Sequence, residues 1–196
     1  MSGKRWQCST TADTRSRISD EPTNKKFLIV AARYALASGI LAFVLLLVMY
    51  YLGSHPLLIA PFLDFRILLF GIFTFFTLKE IRDYHQNGIL YFWQAMAGAL
   101  IVVLVTTAIT SCLLWLFGIW EKDFVASYIT QFSAFLQSFP KEDIDRIGRE
   151  VYERNLKELP ATNVLDLVQT YFMQGMVFGF FVSIIVSVIL RRQPKP

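Results

Sequence analysis

The sequence predicts an all-α, polytopic membrane protein with four transmembrane helices and an outward helical hairpin between the third and the fourth. Three observations predict it. Hydrophobic residues make up 55% of the 196 residues and charged ones only 17%, a balance that suits lipid better than water. The apolar residues fall in long blocks, whereas a soluble helix keeps a polar face. Three of the blocks reach the roughly 20 residues that a helix needs to cross hydrocarbon. A membrane β-barrel is excluded because its strands alternate in polarity. Residues 40–46 here are apolar at every position, and a helix satisfies its own backbone groups in lipid.

The elements follow in order. Residues 1–26 are polar, basic and rich in Ser and Thr, and read as a disordered cytoplasmic tail. Residues 27–192 form the transmembrane domain, with spans expected at about 31–53, 61–79, 89–120 and 165–190. The second span is the shortest block. It reaches across only if Asp64 and Arg66 sit in its first turn, with Arg66 snorkelling outward. The first block follows a long polar stretch, and no small-x-small cleavage pattern follows it, so it reads as a span and not a signal peptide. Cys8 and Cys112 imply no disulfide framework. Residues 193–196 are a short cytoplasmic tail.

Lys and Arg mark the cytoplasmic flanks of spans. Lys4, Arg5, Arg15, Arg17, Lys25, Lys26 and Arg33 precede the first span, Lys79 and Arg82 lie between the second and third, and Arg191, Arg192 and Lys195 follow the fourth. Both termini are therefore expected in the cytoplasm. Segment 121–163 has fewer basic residues for its length and faces outward. Within it, Phe124, Tyr128, Phe132 and Phe135 share one helical face, and Ser138-Phe139-Pro140 reads as a stop and restart. A second helix is expected over about 141–159, ended by Pro160. Together these make an amphipathic hairpin, packing on itself or on the membrane surface.

Small residues mark helix contacts, because they let backbones approach closely in lipid. Gly175, Gly179 and Ser183 form one stripe, Gly39 lies in a second, and Ala95 and Gly98 lie in a third. The first stripe suits packing inside the bundle better than a homo-oligomer. Asp64, Arg66 and Asp166 could form an outer polar cluster. Asp64 and Arg66, two residues apart, share no helix face, so each needs another partner: Asp166 could approach Arg66 across the bundle, but ordinary solvation of these end charges at the interface is the favoured expectation. No catalytic set, cofactor loop or metal cluster emerges: His55 and His85 are expected on opposite sides of the membrane. Thr106, Thr107, Thr110 and Ser111 can bond their own preceding carbonyls and need not line a channel.

The run Lys79-Glu80-Ile81-Arg82-Asp83-Tyr84, followed by Gly88-Ile89-Leu90-Tyr91-Phe92-Trp93-Gln94-Ala95-Met96-Ala97-Gly98, resembles a bacterial inner-membrane family known as domain of unknown function 4199. Gly39 and the closing Arg191-Arg192 extend the resemblance over residues 27–192. It implies four spans, an inner-membrane location and no assigned activity, and it supplies no site residues. The expected function is a non-enzymatic membrane subunit or scaffold. It would act through its helices and hairpin on the lipid bilayer and on a protein partner or second copy, with no nucleic acid. The alternatives are a small transporter or channel, and an envelope or lipid enzyme that would need Asp64, Arg66, Asp166 and the hairpin acids in one cleft.

Overall fold

The computed structural model describes residues 10–58, 64–86, 88–138, 140, 144–146 and 148–191, with side chains from Phe27 onward and His85 by backbone alone. It is all-helical, with three helices long and apolar enough to cross a membrane. Helix α1 (Thr10–Tyr51) carries the first of these over Phe27–Tyr51. It begins inside the segment expected to be a disordered tail; residues 1–9 and the side chains of 10–26 lie outside the described set. Helix α3 (Phe92–Trp120) and helix α6 (Val164–Leu190) are the other two.

Helix α2 (Phe65–Glu80) has 16 residues. At 1.5 Å per residue it is about 24 Å long, short of a hydrocarbon core of about 30 Å. The length criterion is therefore met by three of the four expected spans. Past Glu80 the helix continues as a π turn, Ile81–His85, which carries Arg82 and Asp83. Asp64 is not in the first turn but is the N-cap, with extended backbone. Residues 61–63, where the expected span begins, lie outside the described residues.

These four helices run up, down, up and down and pack as a bundle, α3 between α1 and α6, and α2 against all three. One end of the bundle holds the start of the Phe27–Tyr51 segment and the end of α6; we call it the tail end. The other holds helices α4 (Asp123–Gln137) and α5 (Arg149–Glu158) and is the cap end. At the tail end Leu78, Leu90, Ala95, Ala99 and Leu190 form one core cluster. At the cap end Leu46, Leu114, Phe124, Leu167 and Tyr171 form another. Ala31, Ala35 and Val102 join α1 to α3. Outward-facing residues such as Ile40, Leu68, Leu116, Val177 and Ile185 are exposed along the helix lengths, as a lipid-facing surface requires.

Helix α4 lies where the first amphipathic pattern is expected. The second pattern is broken. Helix is present at 144–146 and resumes as α5 only at Arg149, because Gly148 between them has φ +94°. A residue with that φ cannot continue a right-handed helix. Helix α5 buries none of its residues fully and meets α4 through the Tyr152 hydroxyl, which donates to the Leu136 carbonyl at 3.3 Å. Leu159-Pro160-Ala161 forms a 3₁₀ turn that ends it.

Candidate functional site

Three features of the cap end carry charge or polarity into the protein. The first is the Asp64–Arg66 pair. As N-cap of α2, Asp64 accepts from the Arg66 backbone N–H at 2.9 Å through Oδ1. Its Oδ2 accepts from Arg66 Nε at 2.6 Å and also contacts Nη2. Two residues that could not meet on one helix face meet because only one of them is in the helix. Arg66 does not snorkel outward. Its head lies under α6, where Nη1 donates to the Tyr171 carbonyl at 3.4 Å and Nη2 to Gln174 Oε1 at 3.2 Å. The guanidinium also stacks on Tyr171, 4.5 Å from the ring centre. Both charged residues are buried. Tyr171 stands seven residues into α6, about 10 Å along its axis, so the pair lies well below the end of the bundle. With Nε, Nη1 and Nη2 engaged on Asp64, Tyr171 and Gln174, Arg66 is a pin between α2 and α6.

Asp166, which could have approached Arg66 across the bundle, does not join it. It is exposed and belongs to the capping box of α6, where its carboxylate accepts from the Asn163 N–H at 2.9 Å. A carboxylate at the third position of a helix reaches back to its own orphan N–H groups before it reaches across a bundle.

The second feature is the loop after α1. Gly53, φ +85°, closes the helix: its N–H bonds to the Tyr50 carbonyl and that of Ser54 to the Met49 carbonyl. This is a Schellman C-cap. It turns the chain so that His55 enters the core, 2% exposed, among the rings of Tyr50, Phe124 and Tyr128. Nδ1 accepts from the Leu57 N–H at 3.4 Å. Burial pushes the imidazole pKa down to about 4. Gln131 of α4 reaches back to the same loop. Its Oε1 accepts from the His55 N–H at 2.9 Å, and its Nε2 donates to the Gly53 carbonyl at 3.2 Å. His55 and Gln131 thus hold α4 to the bundle. Neither Gly53 as a cap nor Gln131 as a clamp was expected from the sequence, although a Gly one residue past a helix end is a signal for the former.

The third feature is a cleft of about 190 Å³ between α4, α5 and the start of α6. Tyr128 and Phe132 form one wall, Asn155 and Glu158 another, and Asp166 and Thr170 the third, over Leu159 and Leu167. The cleft therefore gathers one acid of the α4–α5 layer and Asp166, and leaves Asp64 and Arg66 apart. Burial raises the Tyr128 hydroxyl pKa, so it stays protonated. No group of three or more His, Cys, Asp or Glu side chains that could hold a metal occurs among the described residues.

With these sites in view, residues 33–192 match the model of one family, described as protein of unknown function (DUF4199). The chain belongs to the DUF4199 family. No curated protein and no solved structure matches it. The stretch of the DUF4199 chain that carried the resemblance has a physical reading. Glu80 is the acceptor of a tail-end clamp: Arg33 donates to both of its oxygens at 2.9 Å, and the Tyr34 hydroxyl donates to one at 2.6 Å. Helix α2 then widens into a π turn, Ile81–His85. Gly88, φ +80°, closes it, and its N–H bonds to the Arg82 carbonyl at 2.9 Å. Arg82 pairs with Asp83. Gly98 lies where a Cβ would stand 2.7 Å from Phe27.

The other small residues of this DUF4199 chain also face neighbours. A Cβ on Gly39 would meet Ile109 at 2.9 Å, and one on Gly175 would meet Thr107 at 2.8 Å. One on Gly179 would run into Val103. The Gly175–Gly179 face is thus occupied by α3. Ala95 is fully buried in the tail-end cluster, and buried Ser183 donates to the Gly179 carbonyl at 2.7 Å. Thr110 donates to the Thr106 carbonyl at 2.9 Å, as a back-bonding Thr should, and also lies 3.1 Å from the Gly39 carbonyl across the bundle.

Proposed function

We propose that this chain is a four-crossing subunit of a bacterial inner membrane, with both termini in the cytoplasm, and that it acts without catalysis by presenting the α4–α5 layer to a partner outside. One observation carries this reading most directly. The charged and small-residue contacts named above are taken up within the bundle: Arg66 by Asp64 and α6, Gly175 and Gly179 by α3, Glu80 by α1. Exposed charged side chains gather on α5, which is almost entirely exposed, and around the cleft. Aromatic residues support the membrane borders. Tyr51 and Trp120 are exposed at the cap end, Tyr84, Tyr91 and Trp93 at the tail end, and such rings favour the headgroup level.

The test is a topology measurement in a background lacking Cys8 and Cys112, with a membrane-impermeant thiol reagent on intact cells. Single cysteines replace the exposed Tyr84 and Glu153. Labelling at 153 and not at 84 is expected. Labelling at 84 alone inverts the protein and removes the outward-partner reading.

A second reading, a small channel, is favoured by a separate observation. Ser38, Thr74, Thr107, Ser111 and Ser187, drawn from all four bundle helices, are buried hydroxyls without partners. Flux of water or small ions through liposomes holding the purified protein would support it, and tight liposomes would remove it.

A further inference from the structure

We propose that His55 is an acid-sensitive latch, and that a proton on its imidazole releases α4 from the cap end of the bundle. Geometry carries this first. His55 is buried where the loop after α1 meets α4. The ring of Phe124 lies 4.8 Å away, that of Tyr128 5.1 Å and that of Tyr50 6.3 Å, centre to centre. Nδ1 accepts from the Leu57 N–H, so the neutral ring carries its hydrogen on Nε2. Nε2 is itself buried and has no hydrogen-bond partner among the described residues. A second proton must therefore enter at Nδ1. There it turns an acceptor into a donor, sets two N–H groups against each other and breaks the bond to Leu57.

The surroundings do not compensate the resulting imidazolium. Among the described residues, Tyr50 of α1 and Tyr128 of α4 are the titratable side chains that face it, and the 3₁₀ turn Pro56–Leu58 brings none. Gln131 of α4 is neutral and bonds to the loop backbone. Glu121 and Asp123, at the joint between α3 and α4, act on Tyr50 and not on His55. Farther in, Tyr171 of α6 packs in the same cluster as Phe124, and Asp64 and Arg66 of α2 bond to each other and to α6. Ring faces return only part of the hydration that a buried cation loses. The Phe124 carbonyl favours the charged form, but burial outweighs it and holds the pKa at about 4. In the released state the ring regains water and its ordinary value of 6.5, so acid favours release.

Helix α4 is placed to move as a unit. Glu121 has extended backbone and separates it from α3. Its inward side chains Phe124, Tyr128 and Gln131 all meet His55 or its loop. Release uncovers Leu46, Leu114 and Leu167, which share a cluster with Phe124. Acid would in this way regulate the layer presented to a partner. That the latch answers to the medium outside rests on the orientation proposed above; the latch itself does not.

The experiment uses the full chain without Cys8 and Cys112, purified in detergent, where both ends of the bundle meet the buffer. Leu167→Cys places a thiol in the cluster that α4 covers, and Leu46→Cys repeats the reading from α1 should the first variant fail to fold. Leu165→Cys, exposed on the same turn as Leu167, gives the intrinsic reactivity at each pH. Ser187→Cys places a buried thiol at the tail end. The reagent is a dithiodipyridine, which reacts with thiols in acid. From about pH 7.5 to about pH 5 the L167C rate relative to L165C should rise about thirtyfold, while S187C stays flat. His55→Phe keeps an aromatic ring in place and should flatten the L167C response. Gln131→Ala should raise the L167C rate at every pH and keep its pH slope. An L167C ratio independent of pH overturns the latch, as does a rise that H55F leaves in place. An equal rise at S187C also overturns it, because acid would then loosen the whole bundle. A topology measurement that inverts the protein, with a rise that H55F still abolishes, keeps the latch and makes it answer to cytoplasmic acid.

Discussion

At the level of single residues, the contacts around glycine and around Arg66 set measurable costs. Gly179 and Gly71 are both glycines within bundle helices, yet a Cβ on the first collides with Val103 and one on the second meets nothing within 4 Å. Gly179→Ala should lower thermal stability in detergent by about 1–3 kcal/mol, an overpacking penalty. Gly71→Ala should be neutral or slightly stabilising through reduced backbone entropy of the unfolded chain. Equal midpoints for the two variants would contradict the packing assigned to Gly179. Arg66→Met leaves Asp64 buried without its partner and should cost about 3–5 kcal/mol, whereas Asp64→Asn with Arg66→Met together should cost less than the two changes added. A double-mutant cycle of unfolding midpoints checks this; additive losses would mean that the two side chains act independently. Much of this was hidden in the sequence. The stripe of small residues was readable because spacing alone reveals it. The Asp64–Arg66 bond was not, because the helix rule that separates residues two apart holds only if both are helical, and Asp64 is a cap.

At the level of elements, α4 is held to the bundle by buried Phe124, by the His55 loop and by the Gln131 amide. His55 is buried neutral, with its pKa lowered to about 4 from an ordinary value of 6.5. The unfolded or undocked chain therefore binds the proton more readily than the docked one. Stability from this burial is complete above pH 6.5 and is lost as pH falls through that value toward 4. Hydrogen exchange in α4 and in the 52–58 loop should accelerate over this window, and His55→Phe should flatten the response. A profile that H55F leaves unchanged would place the proton elsewhere. Gln131→Ala removes both bonds to the loop and should raise exchange there at every pH. The helices themselves were legible in part: α3, α4 and α6 lie over the apolar blocks and stripe that predicted them, whereas α1 starts at Thr10, inside the segment expected to be a disordered tail. The break at Gly148 was not, because the pattern of Ile144, Ile147 and Val151 continues through it. A hydrophobic period records which face is apolar, not whether the backbone between its members is continuous.

For the whole molecule, the up-down-up-down bundle follows from the order of the four apolar blocks along the chain. The cleft was not legible, since Tyr128, Glu158 and Asp166 come from three elements whose relative placement depends on the Gly53 turn and the Gln131 clamp. A further consequence comes from the length of α2. Leu68, Ile72 and Phe76 are exposed along it, so its outward strip meets lipid over a height shorter than its neighbours offer. If α2 crosses a bilayer as proposed, that bilayer would dimple on this flank, thinning locally by several ångströms, while it stays at full thickness beside α3 and α6. Such an asymmetric annulus is an elastic cost that rises with bilayer thickness. Reconstituted protein should therefore partition into short-chain lipid in a phase-separated vesicle and cluster flank to flank in long-chain lipid. The shortest of the four bundle helices would in this way set where in a mixed membrane the protein resides and which side it turns toward its neighbours.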